Sequence, residues 1–155
     1  MKKQETTTTR LEKGEAYWFV QPSTMECHRT RDEHFESDDE KFVGGNYYPE
    51  KGPAEALAAA LQEEFSERLE KIASEKDQLK LHLCSYLSEN MVALPARPKE
   101  ITEEYITEIE HTYTHVYSAV REYKRIWASL YDEEAAIRKT IMERIYYKQQ
   151  PTTTN

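Results

Sequence analysis

The chain has 155 residues, of which 32% are charged and 38% hydrophobic, and its formal net charge is −8 at pH 7. This length fits one domain, and eleven tyrosines with two tryptophans exclude a wholly disordered chain. The acidic balance excludes direct nucleic-acid binding by the chain as a whole, because phosphate recognition requires clustered positive charge.

The two ends of the chain are polar. Lys2 and Lys3 precede a run of threonines where a secreted protein would have an apolar signal core, and no apolar run reaches the roughly 20 residues that cross a bilayer. The sequence therefore predicts a soluble cytoplasmic protein without membrane contact. Residues 1–12 and 149–155 are low in complexity, and we expect both to be disordered tails.

A small β module is predicted over residues 13–52. Residues 16–20 are aromatic and β-branched, residues 21–24 have turn composition, and residues 25–30 alternate weakly. Residues 42–48 contain two glycines, an asparagine and two tyrosines, which suit a short third strand or an entry into a helix. We expect a β-hairpin or three-stranded sheet packed on helices, because a hairpin alone is marginally stable.

A first long helix is predicted over about residues 53–91. It opens with Pro53 at a first helical position, followed by an alanine-rich stretch. Its apolar residues recur at helical spacing until Pro95 and Pro98, which cannot continue a helix. The chain is therefore expected to turn back at these prolines.

A second long helix is predicted over about residues 101–147, with Thr102 as its N-cap. Two helices joined by a short connection form an antiparallel helical hairpin over residues 53–148, so the expected fold class is α+β, predominantly α. Large aromatic residues in its seam leave open a homodimer in which a second copy covers them. The seam has coiled-coil spacing and comprises Ile109, Tyr113, Val116, Val120, Tyr123, Trp127, Leu130, Glu134, Ile137 and Ile141.

No catalytic centre, metal site or cofactor is predicted. His111 and His115 lie four residues apart with Glu108 nearby, but they occupy outward positions and do not form the His-Glu-x-x-His pattern. Cys27 and His28 are adjacent in a strand and point to opposite faces, which separates a thiol from a base. The expectation is therefore a protein that is not an enzyme.

Carboxylates are dense in the segment 32–40, which lacks the register of a calcium loop. The segment is interpreted either as a solvated loop or as an electronegative surface for a basic partner. Carboxylates on the first helix extend this surface. The candidate partner-binding residues are Asp32, Glu33, Glu36, Asp38, Asp39, Glu40, Glu63, Glu67 and Glu70.

Residues 13–60 resemble a small module found in many uncharacterised phage and prophage proteins. The chain departs from that module at residues 29–32, where a tryptophan is common, and at Pro49 and Gly52, where a threonine-led helix entry is usual. The segments that carry the resemblance are Lys-Gly-Glu-Ala-Tyr-Trp-Phe-Val at 13–20, Asp-Asp-Glu-Lys-Phe-Val-Gly-Gly-Asn-Tyr-Tyr at 38–48, and Glu-Ala at 55–56.

The resemblance implies a phage or prophage accessory protein that acts in the cytoplasm of a bacterial host. Such proteins often bind a host or defence-system protein, and an inhibitor of the anti-CRISPR or anti-restriction type is one such role. The acidic residues would then meet a basic surface of the partner. The alternative is a structural or assembly protein that oligomerises through the helical hairpin.

Overall fold

The computed structural model describes residues 9–147, so the predicted tail at 149–155 and most of the tail at 1–12 lie outside the described residues. The α+β, predominantly helical class is confirmed. The chain divides into two compact units, Met1–Ser66 with Ile137–Asn155, and Glu67–Ala136. The elements are β1 (Ala16–Gln21), β2 (Glu26–Arg31), α1 (Glu36–Gly44), α2 (Lys51–Glu89), α3 (Glu103–Thr112) and α4 (Tyr117–Ile145), with 3₁₀ turns at Pro98–Glu100 and Thr114–Val116.

The strands β1 and β2 form an antiparallel hairpin, and within residues 9–147 the sheet has only these two strands. In place of a third strand, Trp18 and Tyr48 form a single bridge with two backbone hydrogen bonds of 2.8 Å. Two residues further along β1, the amide side chain of Asn46 accepts the Val20 N–H at 2.8 Å and donates to the Val20 carbonyl at 2.9 Å. The edge of β1 opposite β2 is therefore hydrogen-bonded at both positions.

The first unit packs the hairpin on parts of α2 and α4. The Gln62 side chain of α2 donates to the Met25 carbonyl in the hairpin turn at 2.5 Å, and Arg138 of α4 donates to the Ser23 carbonyl at 2.9 Å. The fully or nearly fully buried side chains of this unit include Tyr17, Val20, Leu61, Phe65, Ile141 and Ile145. The hairpin thus obtains the packing partner that its marginal stability requires.

The second unit has its own apolar core, formed by α2, α3, α4 and the segment between α2 and α3. Near one end of this unit, Lys76 of α2 bonds Glu134 of α4 at 2.6 Å. Near the other end, a ring nitrogen of His115 lies 2.9 Å from the Asn90 carbonyl oxygen. Within this unit the two helices therefore run antiparallel. Its core comprises Leu83, Leu87, Val92, Ile101, Ile106, Ile109, Val116, Val120 and Tyr123.

The prediction of one continuous helix over residues 101–147 is wrong. The helix α3 ends at Thr112, and Tyr113 has extended backbone angles of φ −114° and ψ 95°. A 3₁₀ turn follows before α4 begins. Tyr113 lies between Thr112 and Thr114, and β-branched residues have low helix propensity, while its ring packs against the core of the second unit.

Two predictions about the first unit also need correction. Residues 36–40 of the acidic segment, expected to lie in a loop, form helix α1 together with residues 41–44. Residues 9–12, expected to belong to a disordered tail, include Arg10, which forms an ion pair with Asp32 at 2.9 Å. The backbone N–H of Leu11 donates to the Tyr47 hydroxyl at 3.1 Å. This part of the chain is held by side chains of the folded unit.

Candidate functional site

Helix α1 forms because its ends carry specific signals, although it has no apolar periodicity. Acidic residues in its first turn interact favourably with the helix dipole. The Asp38 carboxylate accepts the backbone N–H groups of Glu33 and Phe35 at 3.1 and 3.2 Å, which caps the N-terminus. The helix ends at Gly45, whose φ of 90° suits a glycine C-terminal to a helix.

Asp38 is an anchor of α1 and not a surface residue. Its side chain is buried, and it accepts the Tyr17 hydroxyl of β1 at 2.6 Å. Burial, together with the hydrogen bond to Asp38, raises the pKa of Tyr17 well above its usual value. The Tyr17 hydroxyl therefore keeps its proton and donates it to Asp38, and this hydrogen bond connects α1 to the hairpin.

Asp32 is the common acceptor of a second, buried hydrogen-bond network. It is fully buried, and it accepts two guanidinium hydrogen bonds from Arg10, both at 2.9 Å. It also accepts the Tyr47 hydroxyl at 2.8 Å and the His34 backbone N–H at 3.0 Å. Arg10 is the main cause that holds the pKa of Asp32 far below its usual range, while burial and the bond to Asp32 raise the pKa of Tyr47 to about 12.

The outward side of α1 combines acidic and apolar side chains. Phe35 and Val43 are large apolar residues with 66% and 64% of their surface exposed. At about 100° per residue, these two residues and the exposed carboxylates Glu36, Asp39 and Glu40 lie within one arc of about 140° around the helix axis. Glu33, which precedes the helix, is half-buried. We call this surface the acidic-apolar face, and it consists of Phe35, Glu36, Asp39, Glu40 and Val43.

The acidic-apolar face is tied to the buried network on one side. Asp39 accepts a hydrogen of the Arg10 guanidinium at 2.6 Å, and the same guanidinium binds Asp32. Arg10 also lies over the Phe42 ring at 5.5 Å from its centroid. The face is therefore presented by a helix whose inner side is fixed by charge-assisted hydrogen bonds.

The three candidate residues on α2 are all exposed, Glu63 in the first unit and Glu67 and Glu70 in the second. They are solvated carboxylates on a helix. Of the nine acidic candidates, the structure brings Glu36, Asp39 and Glu40 together on one surface and removes Asp32 and Asp38 from it.

The histidine and cysteine candidates do not assemble into a reactive centre. His111 lies in α3 and His115 in the following 3₁₀ turn, so the break separates two residues that were expected on one helix. Within residues 9–147 no three His, Cys, Asp or Glu side chains are grouped to hold a metal ion. Cys27 and Cys84 are free thiols, and burial raises the pKa of each, which lowers the thiolate fraction.

The second unit contains a cavity of about 600 Å³. Tyr123 and Trp127 are stacked in its wall with ring centroids 5.7 Å apart, and Lys76 lies over the Trp127 ring at 5.1 Å. The sequence predicted Tyr123 and Trp127 as seam residues, but the cavity itself was missed. Its lining residues are Lys80, Ile101, Glu103, Ile106, Tyr123, Lys124, Trp127, Ala128 and Tyr131.

Comparison of the chain with protein-family models, with curated proteins and with solved structures finds no match. Within residues 9–147, every helix is too short or too polar to serve as a membrane span. A function is therefore best argued from the chemistry of the acidic-apolar face and of the cavity.

Proposed function

We propose that this chain is a non-enzymatic accessory protein that binds a protein partner through the acidic-apolar face of α1. The observation that carries the proposal is the exposure of Phe35 and Val43, 66% and 64%, beside the exposed carboxylates Glu36, Asp39 and Glu40. Apolar side chains rimmed by charged residues can serve as the anchors of a protein-binding site, where burial of a few side chains supplies most of the binding energy.

The charges of the face define the partner. Glu36 and Glu40, with Asp39 beside them in its ion pair with Arg10, would present negative charge to lysine or arginine side chains, which increases the association rate and orients the encounter. Phe35 and Val43 would then be desolvated in an apolar recess of the same surface. Because Asp32 and Asp38 already hold this part of the chain, binding requires little further ordering of the backbone.

The resemblance of residues 13–60 to phage and prophage modules supports a host or defence-system protein as the partner, in the cytoplasm of a bacterial host. Several residues of that module, including Asp38, Asn46 and Tyr47, hold α1 and β1 together. The module is thus suited to present the acidic-apolar face. A defence complex exposes basic surfaces for nucleic acid, and an acidic protein bound there would block it, as an anti-CRISPR or anti-restriction inhibitor does.

The alternative is a structural or assembly protein that oligomerises through the helical hairpin. The seam residues Val116 and Val120 are fully buried within the second unit, so a second copy would have to use another surface. Light scattering distinguishes the two proposals. A molar mass that stays that of the monomer as the concentration rises opposes the assembly proposal. If a dimer forms and persists in the Phe35→Ala/Val43→Ala variant, the acidic-apolar face is not the surface through which the two copies bind.

The binding proposal is tested by affinity capture of the tagged protein from bacterial lysate at low and moderate salt, with mass-spectrometric identification. We expect a stoichiometric partner whose capture weakens with salt and is lost with Phe35→Ala/Val43→Ala. The matched control is Met142→Ala, which truncates an apolar residue of α4 in the same unit that is 46% exposed. Equal capture by the double variant and the control would remove the acidic-apolar face from the proposal.

A further inference from the structure

We infer that the cavity of the second unit is a binding site for an uncharged, apolar small molecule with an aromatic body. The inference rests on the residues around that cavity alone and is independent of the acidic-apolar face, so that either proposal can fail without the other. The volume of about 600 Å³ lies within the range of roughly 300 to 1,000 Å³ that is typical of small-molecule sites.

Part of the cavity lining is buried and part of it is exposed. Ile101, Ile106 and Tyr123 line the cavity and are each at most 8% exposed. Ala128 and Tyr131 also line it and are exposed. A ligand can therefore enter from solvent beside Ala128 and Tyr131 and bury apolar surface against the two isoleucines and Tyr123, which is the main source of affinity at such sites.

The aromatic side chains of the lining are held in place by contacts within the unit. The rings of Tyr123 and Trp127 are stacked with centroids 5.7 Å apart and an interplanar angle of 28°. Lys76, fixed by its ion pair of 2.6 Å with Glu134, lies over the rings of Trp127 and Tyr131 at 5.1 and 5.7 Å. The aromatic wall is therefore formed before a ligand arrives, which lowers the cost of ordering on binding. Aromatic ligands pack well on such walls, offset or edge to face.

The charged side chains of the lining are already engaged, which decides the charge of the ligand. Lys124 forms an ion pair with Glu110, a buried carboxylate outside the lining. Lys80 interacts with another group of the chain, and Glu103 lies in the first turn of α3, where the helix dipole stabilises a carboxylate. An anion would have to draw Lys124 away from buried Glu110, and a cation would be repelled by both lysines. An uncharged ligand avoids both costs.

The ionisation of Tyr123 supports the same conclusion about the cavity wall. Burial is the main cause that raises the pKa of Tyr123 to about 12. Burial has this effect because it disfavours the charged phenolate. A charged ligand placed against the same wall would lose its hydration for the same reason.

The first test uses tryptophan fluorescence. The chain has two tryptophans, Trp18 and Trp127, so in the Trp18→Phe variant the remaining indole belongs to the cavity wall. The probe is phenylnaphthylamine, an uncharged aromatic dye. We expect saturable quenching of Trp127 with one site per chain and an unchanged far-ultraviolet circular dichroism spectrum. Absence of quenching, or a change in that spectrum on binding, would overturn the inference.

The second test addresses charge. Anilinonaphthalenesulfonate has the same aromatic body with one added sulfonate, and we expect it to bind about tenfold more weakly than the uncharged dye. Moderate salt should leave the affinity of the uncharged dye unchanged, because its binding involves no ion pair. Equal or tighter binding of the sulfonate would contradict a site for uncharged ligands.

The third test fills the cavity. Ala128 lines it and is exposed, so Ala128→Phe places a ring in the cavity mouth. The matched control is Ala135→Phe, an exposed alanine of the same helix that is not in the lining. We expect a loss of dye affinity of about tenfold or more in the first variant and none in the second. Equal affinities in the two variants would overturn the inference.

A second pair of variants decides the question if Ala128→Phe does not fold. Tyr131→Ala removes an exposed ring from the lining, and its control is Tyr117→Ala, an exposed tyrosine of the same helix outside the lining. We expect Tyr131→Ala to weaken binding of the uncharged dye several-fold, because part of the apolar wall is lost, and Tyr117→Ala to leave it unchanged. Unchanged affinity in both variants would place the dye outside the cavity.

Discussion

Glu110 and Lys124 are fourteen residues apart in the sequence and form a direct ion pair. In a straight helix with a rise of 1.5 Å per residue, their Cα atoms would be about 21 Å apart, which these side chains cannot span. The pair exists because α3 ends at Thr112 and the chain bends at Tyr113. The carboxylate of Glu110 is buried and also lies 3.8 Å from a nitrogen of Arg121. The bend at Tyr113 therefore brings two basic side chains, Lys124 and Arg121, to a buried carboxylate.

A double-mutant cycle should detect this bend in solution. We expect Glu110→Ala and Lys124→Ala to be non-additive in the free energy of unfolding. Lys124→Ala leaves the buried carboxylate only the more distant Arg121, and Glu110→Ala leaves Lys124 without this partner. The control cycle is Glu122→Ala with Arg125→Ala, an exposed pair in α4, for which we expect no measurable coupling. Urea denaturation provides the comparison. Equal coupling in both cycles would contradict a buried Glu110.

The anchor role of Asp38 predicts a large loss of stability. Asp38→Ala leaves the Tyr17 hydroxyl and two backbone N–H groups without their acceptor, and we expect a cost of about 3 kcal/mol. Glu36→Ala removes an exposed carboxylate from the same helix and should cost at most about 0.5 kcal/mol. Chemical denaturation of both variants measures the difference. Similar losses for the two variants would mean that Asp38 is solvated.

The Arg10–Asp32 pair predicts a dependence of stability on pH. Because the folded state lowers the pKa of Asp32, its contribution is present above the unfolded value of about 3.9 and is lost as the pH falls below it. Arg10→Gln removes the main cause of the lowered pKa. We therefore expect this variant to be less stable than the wild type at pH 7, and the difference to shrink as the pH falls below about 4.

The control for this prediction is Arg31→Gln, which removes an exposed cation at the end of β2. Its difference from the wild type should stay small and nearly constant from pH 7 to acid, since the network around Asp32 is intact. Unfolding free energies measured at several pH values decide the question. An Arg10→Gln difference that is independent of pH would show that Asp32 has an ordinary pKa.

The two glycines at either side of the α1–α2 connection should respond oppositely to alanine. Gly45 has φ of 90°, which costs a residue with a Cβ about 1 kcal/mol. Gly52 lies in the first turn of α2, and a Cβ there would meet open space. We expect Gly45→Ala to destabilise the protein by about 1 kcal/mol and Gly52→Ala to stabilise it by about 0.5 kcal/mol. Thermal denaturation should give shifts of opposite sign.

Much of the fold could be predicted because its signals are local. The aromatic run at 16–20 predicted β1, and the uninterrupted apolar spacing before Pro95 predicted α2 to within two residues at each end. The break at Tyr113 was missed because apolar residues continue at the same spacing on both sides of it, and Ile109 and Val116 are both buried. Helix α1 was missed because it has no apolar periodicity. The residues that favour a helix there are the acidic residues of its first turn and Gly45, which follows its last residue.

The candidate site could be predicted only in part. All nine acidic residues look alike in the sequence, and what distinguishes Asp32 and Asp38 is the set of partners that the fold brings to them. Arg10 lies 22 residues from Asp32, and Tyr17 lies 21 residues from Asp38. The cavity combines α2, α3, α4 and the segment before α3, so it depends on tertiary packing that no local pattern encodes.

The side chain of Asn46 has a consequence for the colloidal behaviour of the protein. An unpaired strand edge is a template for intermolecular sheet growth. At Val20 both backbone groups are already engaged by Asn46, and at Trp18 both are engaged by Tyr48. The accessible edge of the hairpin is then that of β2, which carries Glu26, His28, Arg29 and Arg31. Fibril nucleation through this hairpin is therefore opposed on one side by an amide side chain and on the other by charge.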